Sequence, residues 1–227
     1  MSKFRPVSAV IFDMDGTILA TEAVIEGVYR EICEKFKKSF VSDVRLKILG
    51  TTEQNSCRTV IADCQLPCSE TDFMRDYKSL TLERLGNCEL LPGVERLIRH
   101  LHSKGIPIAI ATSSSKDSVA VKTAKYKALF DLFHHVVTGS SDPEVKHGKP
   151  APDIFLVAAK RFAPSIDPKD CLVIEDAPNG VKAAKMAGMQ CVMVPDKNLP
   201  QDLQKEADLV LTTLEDFKPE EFGLPPF

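Results

Sequence analysis

Val7-Ser8-Ala9-Val10-Ile11-Phe12 breaks its apolar character only at Ser8 and then stops at two acids, Asp13 and Asp15. A strand buried on one face alternates apolar and polar residues, whereas a strand covered on both faces reads as a nearly continuous apolar run. Similar short runs recur at Ile106 to Ala111, His135 to Thr138, Cys171 to Ile174, Gln190 to Val194 and Leu209 to Leu211. Helical periodicity lies between them. Val94, Leu97, Ile98 and Leu101 share one face after Pro92, Asp153 to Arg161 forms another helix, and Asn179 to Met186 stops at Gly188. Strands separated by helices of this length imply right-handed crossovers. The expected fold class is α/β, a doubly wound, Rossmann-like parallel sheet.

One block departs from this rhythm. From Glu22 to Arg84 only helical patterns occur, over Ala23 to Phe36, Thr52 to Asp63 and Ser69 to Leu85, with turns at Gly50-Thr51-Thr52 and Gln65-Leu66-Pro67. This block reads as an inserted all-helical cap. The expected division is a core of residues 1–19 and 87–227 with a cap over 20–86.

The chemistry-bearing residues follow the strands. Ligands in open parallel sheets bind beyond the C-terminal strand ends. Asp13 and Asp15, followed by Gly16, sit at such an end, and two crowded carboxylates call for a cation between them. An all-oxygen environment suits Mg²⁺. Thr112-Ser113-Ser114-Ser115 then opens a helix, where hydroxyls and amides make an anion site. Lys149, between Gly148 and Pro150, presents one positive charge before the next helix. Glu175 and Asp176 close the apolar run that begins at Cys171, and acids at a buried strand end require a compensating cation. Each feature alone has an ordinary structural reading: an Asp-Gly turn, an N-cap cluster, a surface lysine. Together, at successive strand ends, they point to one site.

The remaining composition excludes other classes. A net charge of −3 provides no basic field for nucleic acid, and the apolar runs are far too short to span a bilayer. The 7 cysteines are scattered without a CxxC pair, which suggests reduced thiols; Cys64 and Cys68 lack a second ligand pair for zinc. With no export signal at Met1, a cytoplasmic monomer is expected.

In order along the chain, Asp13-Met14-Asp15-Gly16-Thr17, Thr112, Lys149 and Glu175-Asp176 resemble the haloacid dehalogenase superfamily, in its phosphatase branch with a helical cap. Asp142-Pro143-Glu144-Val145, His147-Gly148-Lys149-Pro150, Glu175-Asp176-Ala177-Pro178-Asn179-Gly180 and Phe222-Gly223-Leu224-Pro225 are similar to the group acting on pseudouridine 5′-phosphate. The resemblance implies a phosphatase for a small phosphorylated metabolite, nucleotide-like or a sugar phosphate. By the same resemblance Asp13 is the nucleophile, Asp15 the general acid and base, and Thr112 with Ser113 the phosphoryl cradle. Lys149 is implied as the neutralising charge. Mg²⁺ would be held by Asp13, the Asp15 carbonyl and Asp176, with Glu175 behind them.

Two positions depart from the family pattern: Ala20, where relatives usually carry aspartate near the cap hinge, and Glu53, an acid where relatives carry arginine or lysine. An acid at 53 is a poor partner for a second phosphate and argues against a phosphomutase, the alternative enzyme of this fold. Ala20 is the one feature favouring a non-catalytic binding relative.

Overall fold

The computed structural model describes residues 3–227. Its sheet has six parallel strands: β1 (Ala9–Phe12), β2 (Ile108–Thr112), β3 (His135–Thr138), β4 (Cys171–Glu175), β5 (Gln190–Met193) and β6 (Leu209–Val210), in the spatial order β3-β2-β1-β4-β5-β6. The α/β doubly wound architecture expected from the apolar runs is present. The chain walks outward from β1 through β2 to β3, then returns to pair β4 on the other side of β1. That reversal opens a crevice beyond the C-terminal ends of β1 and β4.

Register aligns the strand ends. Phe12 pairs with Ile174 on one side and Ile110 on the other, so Asp13 leaves the sheet beside Glu175 and Ala111. β2 and β4 each run one residue beyond their apolar runs, because Thr112 pairs with Thr138 and Glu175 with Met193.

Alternation in the strands divides the interior into two layers. Val10, Phe12, Ile108, Ile110, Leu172, Ile174 and Val192 face one way, against Val94, Leu97, Ile98 and Leu101 of α5 (Val94–Ser103). Ala9, Ile11, Ala109, Ala111, Val173 and Cys191 face the other, against α8 (Asp153–Arg161) and α9 (Pro178–Met186). Such double coverage is why the strand sequences lack polar alternation.

Between β1 and α5 the chain forms α1 (Glu22–Lys35), α2 (Ser42–Ile48), α3 (Glu53–Asp63) and α4 (Glu70–Arg84), with no strand of the sheet. The short α2 was not anticipated from the sequence; its seven residues span barely two turns and leave a weak periodic signal. These helices bury their own cluster, in which Tyr29 stacks on Tyr77 at 5.1 Å and on Phe40 at 5.6 Å between ring centres. The two crossings between this block and the sheet lie side by side: the Ala20 amide donates to the Glu89 carbonyl and the Leu91 amide to the Ile18 carbonyl, both at 2.9 Å. The C-terminal segment packs on the core, with Phe222 buried and stacked on Phe4 at 4.4 Å. Among the described residues no helix is long and apolar enough to cross a membrane.

Candidate active site

The loop after β1 turns at Gly16, whose φ of +83° is open chiefly to glycine. A Cβ there would collide with the Asp176 carboxylate. The turn therefore lets Asp13, Thr17 and Asp176 gather, and the Thr17 hydroxyl donates to Asp176 Oδ1 at 3.2 Å.

Lys149 enters from the loop before α8 and is almost fully buried. Its ammonium donates to Asp13 Oδ1 at 2.5 Å, Glu175 Oε1 at 2.6 Å and the Ala111 carbonyl at 3.0 Å. Glu175 spends its other oxygen on the amides of Asp176 and Ala177, at 3.0 and 3.1 Å. Both of its oxygens are thus hydrogen-bonded, which makes a fully buried carboxylate tolerable. Gly180 at the start of α9 is required by the same carboxylate, since a Cβ there would fall within it.

Carboxylate oxygens of Asp13, Glu175 and Asp176 lie within 4.8 Å of one another, the one such acid, cysteine or histidine cluster among the described residues. Burial, with repulsion from Glu175 and Asp15, outweighs Lys149 and pushes the Asp13 carboxyl up to about 7. Burial and the charges of Glu175, Asp13 and Glu22 hold Asp176 well above the usual carboxylate range. One ammonium bonded to two of the three buried acids does not neutralise the cluster, and this deficit together with the oxygen donors fits a hard divalent cation.

Asp15 points elsewhere. Burial disfavours its charge, but Lys122 prevails and holds the carboxyl below its ordinary value, helped by the Ser114 hydroxyl. The Lys122 ammonium lies 2.8 and 3.0 Å from the two Asp15 oxygens and 2.8 Å from Ser114 Oγ, which donates to Asp15 Oδ2 at 2.8 Å. Thr112 is fully buried, with its hydroxyl accepting from the Ser114 amide at 3.1 Å. Ser113 turns its hydroxyl to the Gly50 carbonyl at 3.0 Å. Asp13, Asp15, Thr112, Ser113 and Asp176 therefore line one cavity of about 110 Å³, with Lys149 and Glu175 directly behind Asp13 and Asp176.

Lys122 was not legible as a site residue, and Ser114, expected within an anion site, instead donates to Asp15. The available signal was spacing: Ser114, Ser118 and Lys122 recur every four residues, and all are buried around α6 (Lys116–Thr123). A lysine in a helix reads as solvated until the strand-end acid it meets is known.

The helical block closes over the cavity. Besides the Ser113–Gly50 contact, the Asn179 amide donates to the Leu49 carbonyl at 2.8 Å and the Ser118 hydroxyl to Glu53 Oε1 at 2.7 Å. Ala20 is exposed at the crossing, where its backbone rather than its side chain makes the contact.

Known proteins resemble this chain over nearly its whole length. A Drosophila melanogaster protein described as a probable pseudouridine-5′-phosphatase is 47% identical over 223 residues, covering 98% of this chain and 96% of that protein. The Arabidopsis thaliana (DL)-glycerol-3-phosphatase 2 is 46% identical over 224 residues, covering 97% of this chain and 93% of that protein. Among solved structures, the β-phosphoglucomutase of Clostridium difficile superposes with a TM-score of 0.80 at 24% identity, covering 95% of this chain and 97% of that one, which establishes a shared fold. Residues 7–188 match the family model described as haloacid dehalogenase-like hydrolase, and with it the chain belongs to that family of enzymes.

Proposed function

We propose that this chain is a Mg²⁺-dependent phosphatase that hydrolyses a small phosphomonoester through an aspartyl-phosphate intermediate. The observation that carries the reading is the convergence of Asp13 and Asp176, backed by Lys149 and Glu175, on a cavity that Asp15 also lines. In-line phosphoryl transfer is chiefly a matter of positioning and electrostatic stabilisation, and these residues supply both.

In this reading a carboxylate oxygen of Asp13 attacks phosphorus and the bond from phosphorus to the alcohol oxygen breaks. Asp15 delivers its proton to that oxygen, and the alcohol leaves. Asp15 then takes a proton from water as the water attacks the phosphoryl group, returning Asp13 and releasing inorganic phosphate. The pairing with Lys122 favours the ionised form of Asp15, the form needed for the second half. Thr112 and the Ser113 amide steady the phosphoryl oxygens, and Lys149 holds Asp13 while offsetting charge in the transition state. Asp13, the Asp15 carbonyl and Asp176 would hold Mg²⁺, with Glu175 fixing Lys149 and the Asp176 backbone; the ion supplies positive charge to the phosphoryl oxygens.

Residues 20–86 serve in this proposal as a cap that excludes water and shapes the alcohol side of the site. A phosphomutase must hold a second phosphate there, and Glu53 opposes one. The test is a metabolite-phosphate panel including pseudouridine 5′-phosphate and glycerol 3-phosphate, with p-nitrophenyl phosphate as reference, measured with Mg²⁺ and with excess EDTA. Hydrolysis that disappears in EDTA and returns with Mg²⁺ is expected. Undiminished hydrolysis in EDTA overturns the metal assignment, and a bisphosphate requirement for turnover would favour the mutase.

A further inference from the structure

The alcohol side of the cavity has a distinctive charge balance. Its walls from the helical block carry the aromatic rings of Tyr29, Phe40 and Tyr77 and the carboxylates of Glu22, Glu26 and Glu53. Arg45 is the cation of that block facing the cavity, and it is already committed: its guanidinium lies 3.1 Å from Glu22, 3.0 Å from Glu26 and 3.5 Å from Asp196. Lys122, the other lining cation, is taken by Asp15. The three glutamates of that wall are thus set against one guanidinium, which reaches Glu22 and Glu26 but not Glu53, and among the described lining residues none offers an uncommitted positive charge.

Glu53 is the most exacting of the three. It is 8% exposed, and among the described residues no cation pairs with it. Its hydrogen bonds come from the Ser118 hydroxyl at 2.7 Å and the Ser115 amide at 3.4 Å, and both arrive at Oε1. Oε2 accepts from no described residue, so its lone pairs are open to water or to a ligand in the cavity that Glu53 lines. A ligand hydroxyl donating to Oε2 replaces the water it displaces, whereas a ligand anion leaves that oxygen unbonded and adds repulsion at short range in a poorly screened site.

Building on the phosphatase reading, we propose that Glu53 is a specificity-determining residue that selects phosphomonoesters of uncharged, hydroxyl-bearing alcohols and rejects leaving groups carrying a carboxylate or second phosphate. Polyol and nucleoside monophosphates are the accepted class. The Tyr29, Phe40 and Tyr77 wall takes the apolar face of the alcohol, and Glu53 accepts from one of its hydroxyls. Selection therefore combines an attractive contact with a repulsive one.

The experiment compares kcat/KM of the full-length Mg²⁺-loaded chain on glycerol 3-phosphate and uridine 5′-monophosphate with that on phosphoglycolate and a hexose bisphosphate, p-nitrophenyl phosphate serving as reference. The expected preference for the better uncharged alcohol over both anionic substrates is at least about tenfold, and Glu53→Gln, which keeps size and removes charge, should shrink it to about threefold or less. Because preference is a ratio within one enzyme, partial loss of folded protein cancels. Should Glu53→Gln fail to fold, the wild-type panel still decides: equal rates on anionic and uncharged substrates overturn the proposal. An unchanged ratio in a folded Glu53→Gln variant also overturns it. Absence of hydrolysis on every substrate, the reference included, would remove the phosphatase reading and this inference with it.

Discussion

The ammonium of Lys149 donates to Asp13 Oδ1 at 2.5 Å although 136 residues separate the two in sequence. The contact exists because β1 and β2 are neighbours: Lys149 also reaches the Ala111 carbonyl at the end of β2, and Glu175 at the end of β4 takes a third bond. Three acceptors exhaust the three donors of a lysine, so its direction is fully determined. Burial alone would lower its pKa, but the charges of Asp13 and Glu175 prevail and hold it above the ordinary lysine range.

Lys149→Met should therefore damage both rate and stability. Loss of a preorganised charge costs about 3–4 kcal/mol of transition-state stabilisation, roughly 10²–10³ in kcat. Leaving buried carboxylates without their cation costs a further about 3–5 kcal/mol of folding free energy. The double variant Lys149→Met with Glu175→Gln should recover much of the stability and none of the rate. Urea denaturation alongside steady-state kinetics separates the two effects.

Asp13→Asn should retain the fold and lose turnover by at least about 10³-fold, as expected when a covalent nucleophile is removed. The metal-free variant should be no less stable than the parent, since one charge leaves a crowded acidic cluster. Circular dichroism with phosphate-release kinetics checks both; rapid residual hydrolysis would remove Asp13 from its role.

Mg²⁺ should raise the melting temperature by relieving repulsion among Asp13, Glu175 and Asp176. At 100 times its dissociation constant a ligand adds about 2.7 kcal/mol, equivalent to roughly 5–10 °C for a chain of this size. Asp176→Asn should abolish most of that increment. Thermal shift with and without EDTA measures it independently of activity.

Gly180→Ala should be poorly tolerated, because its Cβ would fall within the Glu175 carboxylate and displace the partner of Lys149. Displacing packed atoms typically costs about 1–3 kcal/mol, and kcat should fall with stability. Gly188→Ala makes a useful control: nothing lies near its Cβ, so its loss reflects only the positive φ of 78° and kcat should persist.

His135 should contribute an acid sensitivity unrelated to the site. Burial, followed by the neighbouring His134, lowers its pKa from 6.5 to about 4. Below pH 6.5 the unfolded chain binds a proton that the folded chain refuses, so this share of stability is present above 6.5 and is lost as pH falls toward 4. Partial exposure reduces the loss to about 1–2 kcal/mol. Stability curves for the parent and His135→Phe, whose ring should keep the packing on Phe162, should diverge over that window.

The α/β fold was legible because double burial writes itself directly into a strand: Val10, Ile11 and Phe12 can be apolar in succession only where both faces are covered. The acids at strand ends were equally legible, since Asp13, Asp15, Glu175 and Asp176 interrupt apolar runs at the places where parallel strands deliver ligands. What local pattern could not express was pairing across the chain. Lys122 reads as one more helical lysine until register sets it against Asp15. Glu53 reads as a first-turn acid until α3 folds over α6 and buries it on Ser118. Arg45 sits in a helix of seven residues, too short to announce itself, and its neutralisation by Glu22, Glu26 and Asp196 joins segments far apart in sequence. Periodicity and strand-end chemistry are local properties of a chain. Charge compensation depends on distances of a few ångströms between distant residues, and only the packed tertiary structure sets those distances.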